Sequence, residues 1–477
     1  MAAEEHELKN FLELSYEELE ELNLKARAVT DPKEAEQTYV KYLAEEKHIK
    51  AVTACFSDIE GRLHMLDYDK KFLLSSLDNL TFDGSSIRGL SEQHESDLRL
   101  QVDWTSITFV PADVFGPGKV IVFANVCDRG MKPYESDFRG QLQQYAARLK
   151  DKDGLTAYMA PEIEGFLLAG VDAEQRFDKK VGFELVTSGG YFHSLPLDEL
   201  RLFIDKVAEA QRAMGFKNEK DHPEVAPSQF EVNFSYAEVV RACDQVQLYK
   251  LVCRQIAFNA GMTATFLPKP FQGINGNGMH TNFSLAKGGK NIFYDAKGKD
   301  GLSKVGWEFV EKILNRAPEL CLLFNSSVNA YRRLDPHFEA PNQIKVSAND
   351  RGSMVRIPFG NERSARVEIR SVAPDANPYL ALFAILKTGL EDKLPASDAQ
   401  DKRPRLRFLP GTINDAIRLY KGSDYIDKII GESPKQKYLA YKQAVANRNP
   451  RELGTTIKDA EVIYHHEITN QNLWNGF

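Results

Sequence analysis

The stretch YMAPEIEGFLLAG, residues 158–170, decides how the rest of the chain reads. It is an apolar run interrupted by Glu162 and Glu164, one residue apart. In a β-strand, residues i and i+2 point to the same face, so the two carboxylates would lie side by side. An exposed strand with two solvated acids would explain one such pair. The pattern returns, however, in PEVAPSQFEVNF (223–234), which sets Glu224 and Glu231 around a strand start. It returns again in RVEIRS (366–371), where Glu368 and Arg370 share one face and Val367 and Ile369 the other. Carboxylates among apolar neighbours are costly to bury without cations or strong donors. A divalent ion, or two, is the simplest counter-charge. Carboxylate oxygens favour hard cations such as Mg²⁺ and Mn²⁺.

Outward from this strand, helix and strand signals alternate. Phe138, Leu142, Tyr145 and Leu149 fall on one face of a helix that starts near Asp137. PLDELRLFIDKVAEAQRAMGF (196–216) reads as a helix with Leu200, Phe203, Ile204 and Val207 on one side. ACDQVQLYKLVCRQIAFNAG (242–261) reads as a long helix ended by Gly261. TATFLPKPF (263–271) is extended, because each Pro biases its predecessor away from helix. Towards the N-terminus, KAVTACFSD, ITFVPADVF and KVIVFANVCD between residues 50 and 128 are β-rich. Two helical runs precede them, SYEELEELNLKARAV and DPKEAEQTYVKYLAEE, the second opening on Asp31-Pro32. Residues 392–410 read as a polar loop before a helical tail. Helix-rich ends around mixed strands predict an α+β protein.

Two further clusters carry chemistry. KPFQGINGNGMHTNFSL (269–285) is neither a Walker loop nor G-x-G-x-x-G. Gly276 and Gly278 permit close backbone approach or positive φ, and His280 is either a metal ligand or a hydrogen-bonded core residue. Arg332, Arg333, Arg351, Arg356, Arg363, Arg366 and Arg370 fall within 39 residues. Arginines interleaved with apolar residues suit bidentate binding of phosphate and carboxylate, although a solvated face would show the same composition. Acids for metals and arginines for anions describe a phosphoryl-transfer site without a P-loop.

Composition sets the outer limits. The 477 residues are 43% hydrophobic and 27% charged, with a net charge of −7. No basic block or pole argues for nucleic acid, no run of about 18 apolar residues argues for a membrane span, and the acidic start MAAEEHELKN is not a signal peptide. The five cysteines are scattered without C-x-x-C, which fits a reducing, cytoplasmic setting.

Six segments together resemble the glutamine synthetase family of the bacterial type: FDGSSIRGLSEQHESDLRL (82–100), PEIE (161–164), EVAPSQFE (224–231), KPFQGINGNGMHTNFS (269–284), RRLDPHFEAP (332–341) and RVEIR (366–370). The resemblance runs from about residue 36 to the C-terminus. It implies an N-terminal β-grasp domain (36–130) and a large catalytic domain (131–477) whose curved antiparallel sheet is flanked by helices; the helical extension (1–35) lies outside the match. It implies hexameric rings, stacked as a dodecamer, with each site completed by the neighbouring subunit's β-grasp domain. Glu164, Glu224 and Glu231 match the ligands of one Mg²⁺ or Mn²⁺, and Glu162, His280 and Glu368 those of a second. Arg333, Arg370, Glu164 and the backbone at Gly276 match positions that hold L-glutamate. Arg351 and Arg356 match contacts to the transferring phosphate, and Tyr236, Ser284, Arg356, Arg363 and Arg366 contacts to ATP. Asp83 matches the base that deprotonates ammonium, with Ser86, Tyr191, Glu224 and Glu339 around that ion and Glu339 on a closing flap.

The implied activity is ATP-dependent ligation of ammonia to the γ-carboxylate of L-glutamate through γ-glutamyl phosphate. The alternative is a γ-glutamyl ligase of the same fold that uses an organic amine, as γ-glutamylamide or polyamine synthetases do. A non-enzymatic assembly would have lost metal ligands, whereas all six positions hold Glu or His. The chain departs from the family pattern at His222-Pro223-Glu224, at Asn282, in Ala348-Asn349-Asp350-Arg351 and at Arg363. Residues 392–410 contain no Tyr, so control by adenylylation of a tyrosine loop is not expected.

Overall fold

Helix α1 (Tyr16–Ala28) begins at Ser15, whose hydroxyl accepts the Glu18 N–H while the Glu18 carboxylate accepts the Ser15 N–H. Helix α2 (Pro32–Glu45) begins at Asp31, which caps Lys33 and Glu34, with Pro32 in the first turn. The expected division between residues 35 and 36 falls inside α2. Both helices pack on the strand β4 of a five-stranded sheet, made of β1 (Ala51–Ser57), β2 (Leu63–Asp69), β3 (Thr81–Asp83), β4 (Asp97–Phe109) and β5 (Lys119–Cys127). The order is β2-β1-β5-β4-β3, with β1 parallel to β5 and the other pairs antiparallel. Leu19, Ala26, Tyr39 and Leu43 close one face over Val52, Val120 and Val122. The strand reading of ITFVPADVF holds only to Phe109; after Pro111 the chain makes a short helix, Ala112–Phe115, ended by Gly116 at φ 87°.

The structure is a computed structural model and describes residues 14–87, 90–176, 182–193, 197–394 and 406–447. Part of the loop expected over 392–410 lies outside the described residues.

The second sheet is built around β6 (Leu155–Ala169), the quoted strand. Its partners are β7 (Asn218–Pro223), β8 (Gln229–Phe234), β9 (Ala237–Glu238), β10 (Met262–Thr265), β11 (Met279–Lys287), β12 (Lys290–Asn291), β13 (Gln343–Ser347), β14 (Ser353–Arg356) and β15 (Val367–Ile369). The main path is β13-β14-β15-β11-β6-β8-β7, antiparallel apart from the parallel β13–β14 pair. Along β6, Ala157, Met159, Ile163 and Leu167 are buried in the main core, while Tyr158, Ala160, Glu162 and Glu164 are less buried. Helices Phe138–Asp153, Glu199–Ala213, Val239–Asn259 and Pro378–Glu391 fill that core. The apolar positions read on the first two are all buried. The third starts three residues before the expected Ala242 and stops at Asn259, just before Gly261 at φ 80°.

The two sheets are tied by Arg139. Its Nε and Nη2 reach Asp244 at 2.9 and 2.8 Å, Nη2 also reaches Asp103 at 2.8 Å, and Nη1 reaches Asn125 at 2.7 Å. Asp103 and Asn125 belong to β4 and β5, whereas Asp244 lies in the helix Val239–Asn259. Removing such a cation strands buried carboxylates, at a cost of about 3–5 kcal/mol. All five cysteines are buried and free. No helix among the described residues is long and apolar enough to cross a membrane.

Candidate active site

Strand registers assemble the charges. Directly opposed residues of an antiparallel pair share a face. His280 of β11 lies opposite Glu162 of β6, Glu164 of β6 opposite Glu231 of β8, and Glu231 opposite His222 of β7. On the other side, Glu368 of β15 lies opposite Asn282 of β11 and Arg356 of β14. The period-two pattern of residues 158–170 therefore extends over adjacent strands and gathers acids and histidines on one face.

Two ligand groups result. Glu162, His280 and Glu368 each offer an atom within 4.8 Å of the others, and so do His222, Glu224 and Glu231. The first group coincides with one of the expected sets, and His280 lies among its carboxylates. The second brings His222 to Glu224 and Glu231, while Glu164, expected with these two acids, accepts the Gly278 N–H on Oε2 at 2.6 Å. Sequence reasoning noticed His222 only as a departure from a motif. Its position two residues before Glu224, at the end of β7, was the available signal. Lys220 and Asn275 were also missed; the first adds positive charge near Glu162, and the second donates to Glu339 Oε2 at 3.1 Å.

The electrostatics of the two groups are opposed. Glu368, 1% exposed, accepts Arg356 Nη1 and Arg370 Nη1, each at 2.6 Å. Burial pushes Glu162 up, but His280, Lys220 and Asn282 outweigh it and hold its carboxyl at about 2. On the His222 side the acids are under-compensated. Burial and the Glu224 charge push Glu164 up to about 8, against the pull of Arg333. Burial, with Glu162, Glu164 and Glu224, raises Glu231 well above the carboxylate range, and burial followed by Glu339 raises Glu224. Burial lowers both His222 and His280. His222 Nε2 and Arg333 Nη1 are buried without a hydrogen-bond partner. A surplus of buried carboxylate beside neutral imidazole fits a hard divalent cation with oxygen and nitrogen ligands.

This gives a pH prediction for protein kept in EDTA. Acids whose folded pKa is raised hold protons that the unfolded chain has already released, so stability falls as pH climbs through that window. For Glu164 the window runs from the ordinary 4.5 to about 8. Glu162 works in the opposite sense, but only below 4.5, and the histidines lose their leverage above about pH 6.5. Thermal melting in EDTA should therefore fall between about pH 6.5 and pH 8, and Mn²⁺ should remove the slope. A melting temperature that rises over this range in EDTA would contradict the charge assignment.

The other expected residues surround these groups. Arg333 is buried, its Nη2 donating to the Arg370 carbonyl at 2.8 Å, and burial pushes it down to about 10. A Cβ at Gly276 would sit 2.3 Å from the Pro268 carbonyl oxygen, and one at Gly278 2.6 Å from Arg333 Nη2. Close approach, not positive φ, is what these two glycines supply. Glu339 follows the turn Pro336–Phe338 with a left-handed φ of 59° and lies 3.8 Å from Arg351. Tyr191 meets the His222 ring edge-on at 5.6 Å. Burial, then the Glu224 charge, raises its phenol. Tyr191, Glu224 and Glu339 are thus neighbours.

Asp83 and Ser86 sit on the turn after β3. The Asp83 carboxylate accepts the Ser85 N–H, the Ser85 hydroxyl and the Ser86 hydroxyl at 2.9, 2.6 and 2.5 Å, and these two hydroxyls hold it below the usual range. Asp83 itself ends β3, opposite Asp97 of β4, and among the described residues its carboxylate is hydrogen-bonded only to Ser85 and Ser86.

Beside the first ligand group opens a cleft of about 940 Å³, lined by Glu162, Tyr236, Ser284, Arg363 and Arg366. Arg356 was expected with this nucleotide set but does not line the cleft. Its register opposite Glu368 commits it to that buried carboxylate.

Comparison with known proteins follows the same division. Residues 48–129 match the family profile "Glutamine synthetase, beta-Grasp domain", and residues 135–460 match "Glutamine synthetase, catalytic domain". Glutamine synthetase of Thermotoga maritima is 35% identical over 438 residues, covering 89% of this chain and 98% of that protein. Glutamine synthetase of Staphylococcus aureus is 34% identical over 421 residues, covering 84% and 93%. Among solved structures, Plasmodium falciparum glutamine synthetase superposes with a TM-score of 0.77 at 19% identity, covering 90% of this chain and 98% of that one.

Proposed function

The chain belongs to the glutamine synthetase family, and from that premise we propose how its own residues carry out the reaction: ligation of ammonia to the γ-carboxylate of L-glutamate with ATP, giving glutamine, ADP and phosphate. A carboxylate is a poor acyl donor, because its leaving group would be oxide. Phosphorylation by ATP turns it into γ-glutamyl phosphate. Arg333, Arg370 and the Gly276 backbone orient glutamate, and the unpaired Arg333 Nη1 supports a carboxylate contact there. The nucleotide lies in the cleft with Tyr236, Ser284, Arg363 and Arg366. Arg351 and Arg356 neutralise charge on the transferring phosphoryl group.

Two divalent cations, Mg²⁺ or Mn²⁺, would be held by Glu162, His280 and Glu368 and by Glu224 and Glu231 with Glu164 or His222; when bound they neutralise phosphoryl oxygens. Ammonium is no nucleophile until deprotonated. Asp83 accepts its proton within an anionic pocket formed with Ser86, Tyr191, Glu224 and Glu339. The flap bearing Glu339 keeps water from the acyl phosphate. The Asp83 carboxylate is exposed and, among the described residues, hydrogen-bonded only to Ser85 and Ser86, which supports a site completed by a neighbouring subunit in a hexameric ring, two rings forming the dodecamer. The free, buried cysteines support a cytoplasmic setting.

The observation that carries this reading is the sheet register that brings both ligand groups onto one face beside the cleft. The test is glutamate-dependent phosphate release from ATP with ammonium and with a panel of amines. Ammonium should give the highest kcat/KM; a higher value for methylamine or a larger amine would move the chain to the organic-amine ligases. Asp83→Ala should lower amide formation by about 10²–10⁴-fold and leave ATP affinity unchanged. Equal loss of both would remove Asp83 from its role as base.

A further inference from the structure

A second cleft, of about 480 Å³, lies where α1 and β4 of the N-terminal unit meet the helix Val239–Asn259. Five cations and three acids line it. Arg139 is consumed by Asp103 and Asp244, and Lys150 lies 3.9 Å from Glu238. Arg27, Lys217 and Arg241 have no carboxylate partner among the described residues. Burial, followed by the Arg241 charge, pushes Arg27 down to about 9, and no acid offsets them.

A structural reading accounts for part of this. Arg27 Nη2 donates to the Met214 carbonyl at 2.7 Å, at the end of the helix Glu199–Ala213. Both Nη atoms of Arg241 reach the Arg27 carbonyl at 3.3 Å, in the last turn of α1. Each guanidinium therefore complements a helix C-terminus, worth about half a negative charge apiece. Two helix ends do not balance three cations. Lys217 is exposed and caps nothing. Arg27 and Arg241 are thus only partly offset, and the solvated Lys217 adds a third cation to the lining of the same cavity.

We propose that this cleft, between α1 and the helix Val239–Asn259, is a binding site for a compact doubly charged oxyanion, a phosphate or a dicarboxylate, separate from the nucleotide cleft. Guanidinium pairs take such groups through charge-assisted, geometrically matched hydrogen bonds. Thr30 lines the same space and its hydroxyl can complete the shell, whereas the hydroxyls of Ser106 and Thr108 already donate to the Asp103 and Ser106 carbonyls.

The test is calorimetric titration of the full chain with inorganic phosphate and, separately, with succinate, at fixed ionic strength. Mg²⁺, a non-hydrolysable ATP analogue and glutamate are kept saturating so that the catalytic site, its phosphoryl position included, is filled. At least one anion should bind saturably, once per chain. Arg241→Gln and Lys217→Gln should each weaken it about tenfold, as expected for one lost charged hydrogen bond, while Lys304→Gln, on a remote exposed surface, should not. Lys217 supports no helix end, so its variant keeps the test valid if the Arg241 change loosens the fold. No saturable binding of either anion, or binding indifferent to both substitutions, would overturn the proposal.

Discussion

Glu231→Gln should raise the melting temperature of the metal-free protein and abolish its activity. Glu231 is buried at the centre of the under-compensated group, facing Glu162, Glu164 and Glu224. Its register places it between Glu164 and His222. Glutamine keeps the carbonyl that accepts Asn233 Nδ2 at 2.6 Å. A buried like charge is thereby removed at constant shape, worth a rise of about 1–3 °C. The same change removes a carboxylate ligand on which charge neutralisation at the phosphoryl group depends, so kcat should fall about 10³-fold or more. Differential scanning in EDTA and steady-state phosphate release read the two effects independently. A variant that is both less stable in EDTA and fully active would refute the assignment.

Arg356→Gln should show a related opposition of effects. Arg356 and Arg370 each occupy one oxygen of Glu368 in the metal-free protein. Under the proposed function, Arg356 competes with a cation for that carboxylate and supplies positive charge to the transferring phosphoryl group. Its removal should tighten Mn²⁺ at the Glu162–His280–Glu368 group. It should also lower kcat by about 10³-fold, the scale of losing an arginine that neutralises a phosphoryl transition state. Because Arg356 does not line the nucleotide cleft, ADP affinity should be preserved. Weaker Mn²⁺ binding together with weaker ADP binding would mean that Arg356 acts as a structural strut.

Much of this was legible in the chain because strand periodicity is rigid. Glu162 and Glu164 fall on one face of β6 by strand alternation alone, whereas the grouping of Glu231, His280 and Glu368 with them was implied by the family resemblance. Helix positions were equally legible, because Phe138 through Leu149 and Leu200 through Val207 repeat at helical spacing. What a single sequence could not supply was register. Nothing local says that Arg356 meets Glu368, or that Glu164 turns to the Gly278 amide and leaves His222 beside Glu224. Those outcomes depend on which strands pair and how far they slide. The anion cleft was illegible for the same reason, since Arg27, Lys217 and Arg241 are brought together only by the packing of α1 on the catalytic unit. Pro111 shows the limit of composition, because a β-rich segment bent into a helical turn at the first residue that could not stay in the ladder.

The most direct measurement is the number and position of Mn²⁺ ions in crystals of the full chain, located by anomalous scattering. Two ions per chain are expected, one on Glu162, His280 and Glu368 and one on Glu224 and Glu231, the second disappearing in Glu231→Gln crystals. A single ion, or none on this face of the sheet, would contradict the account.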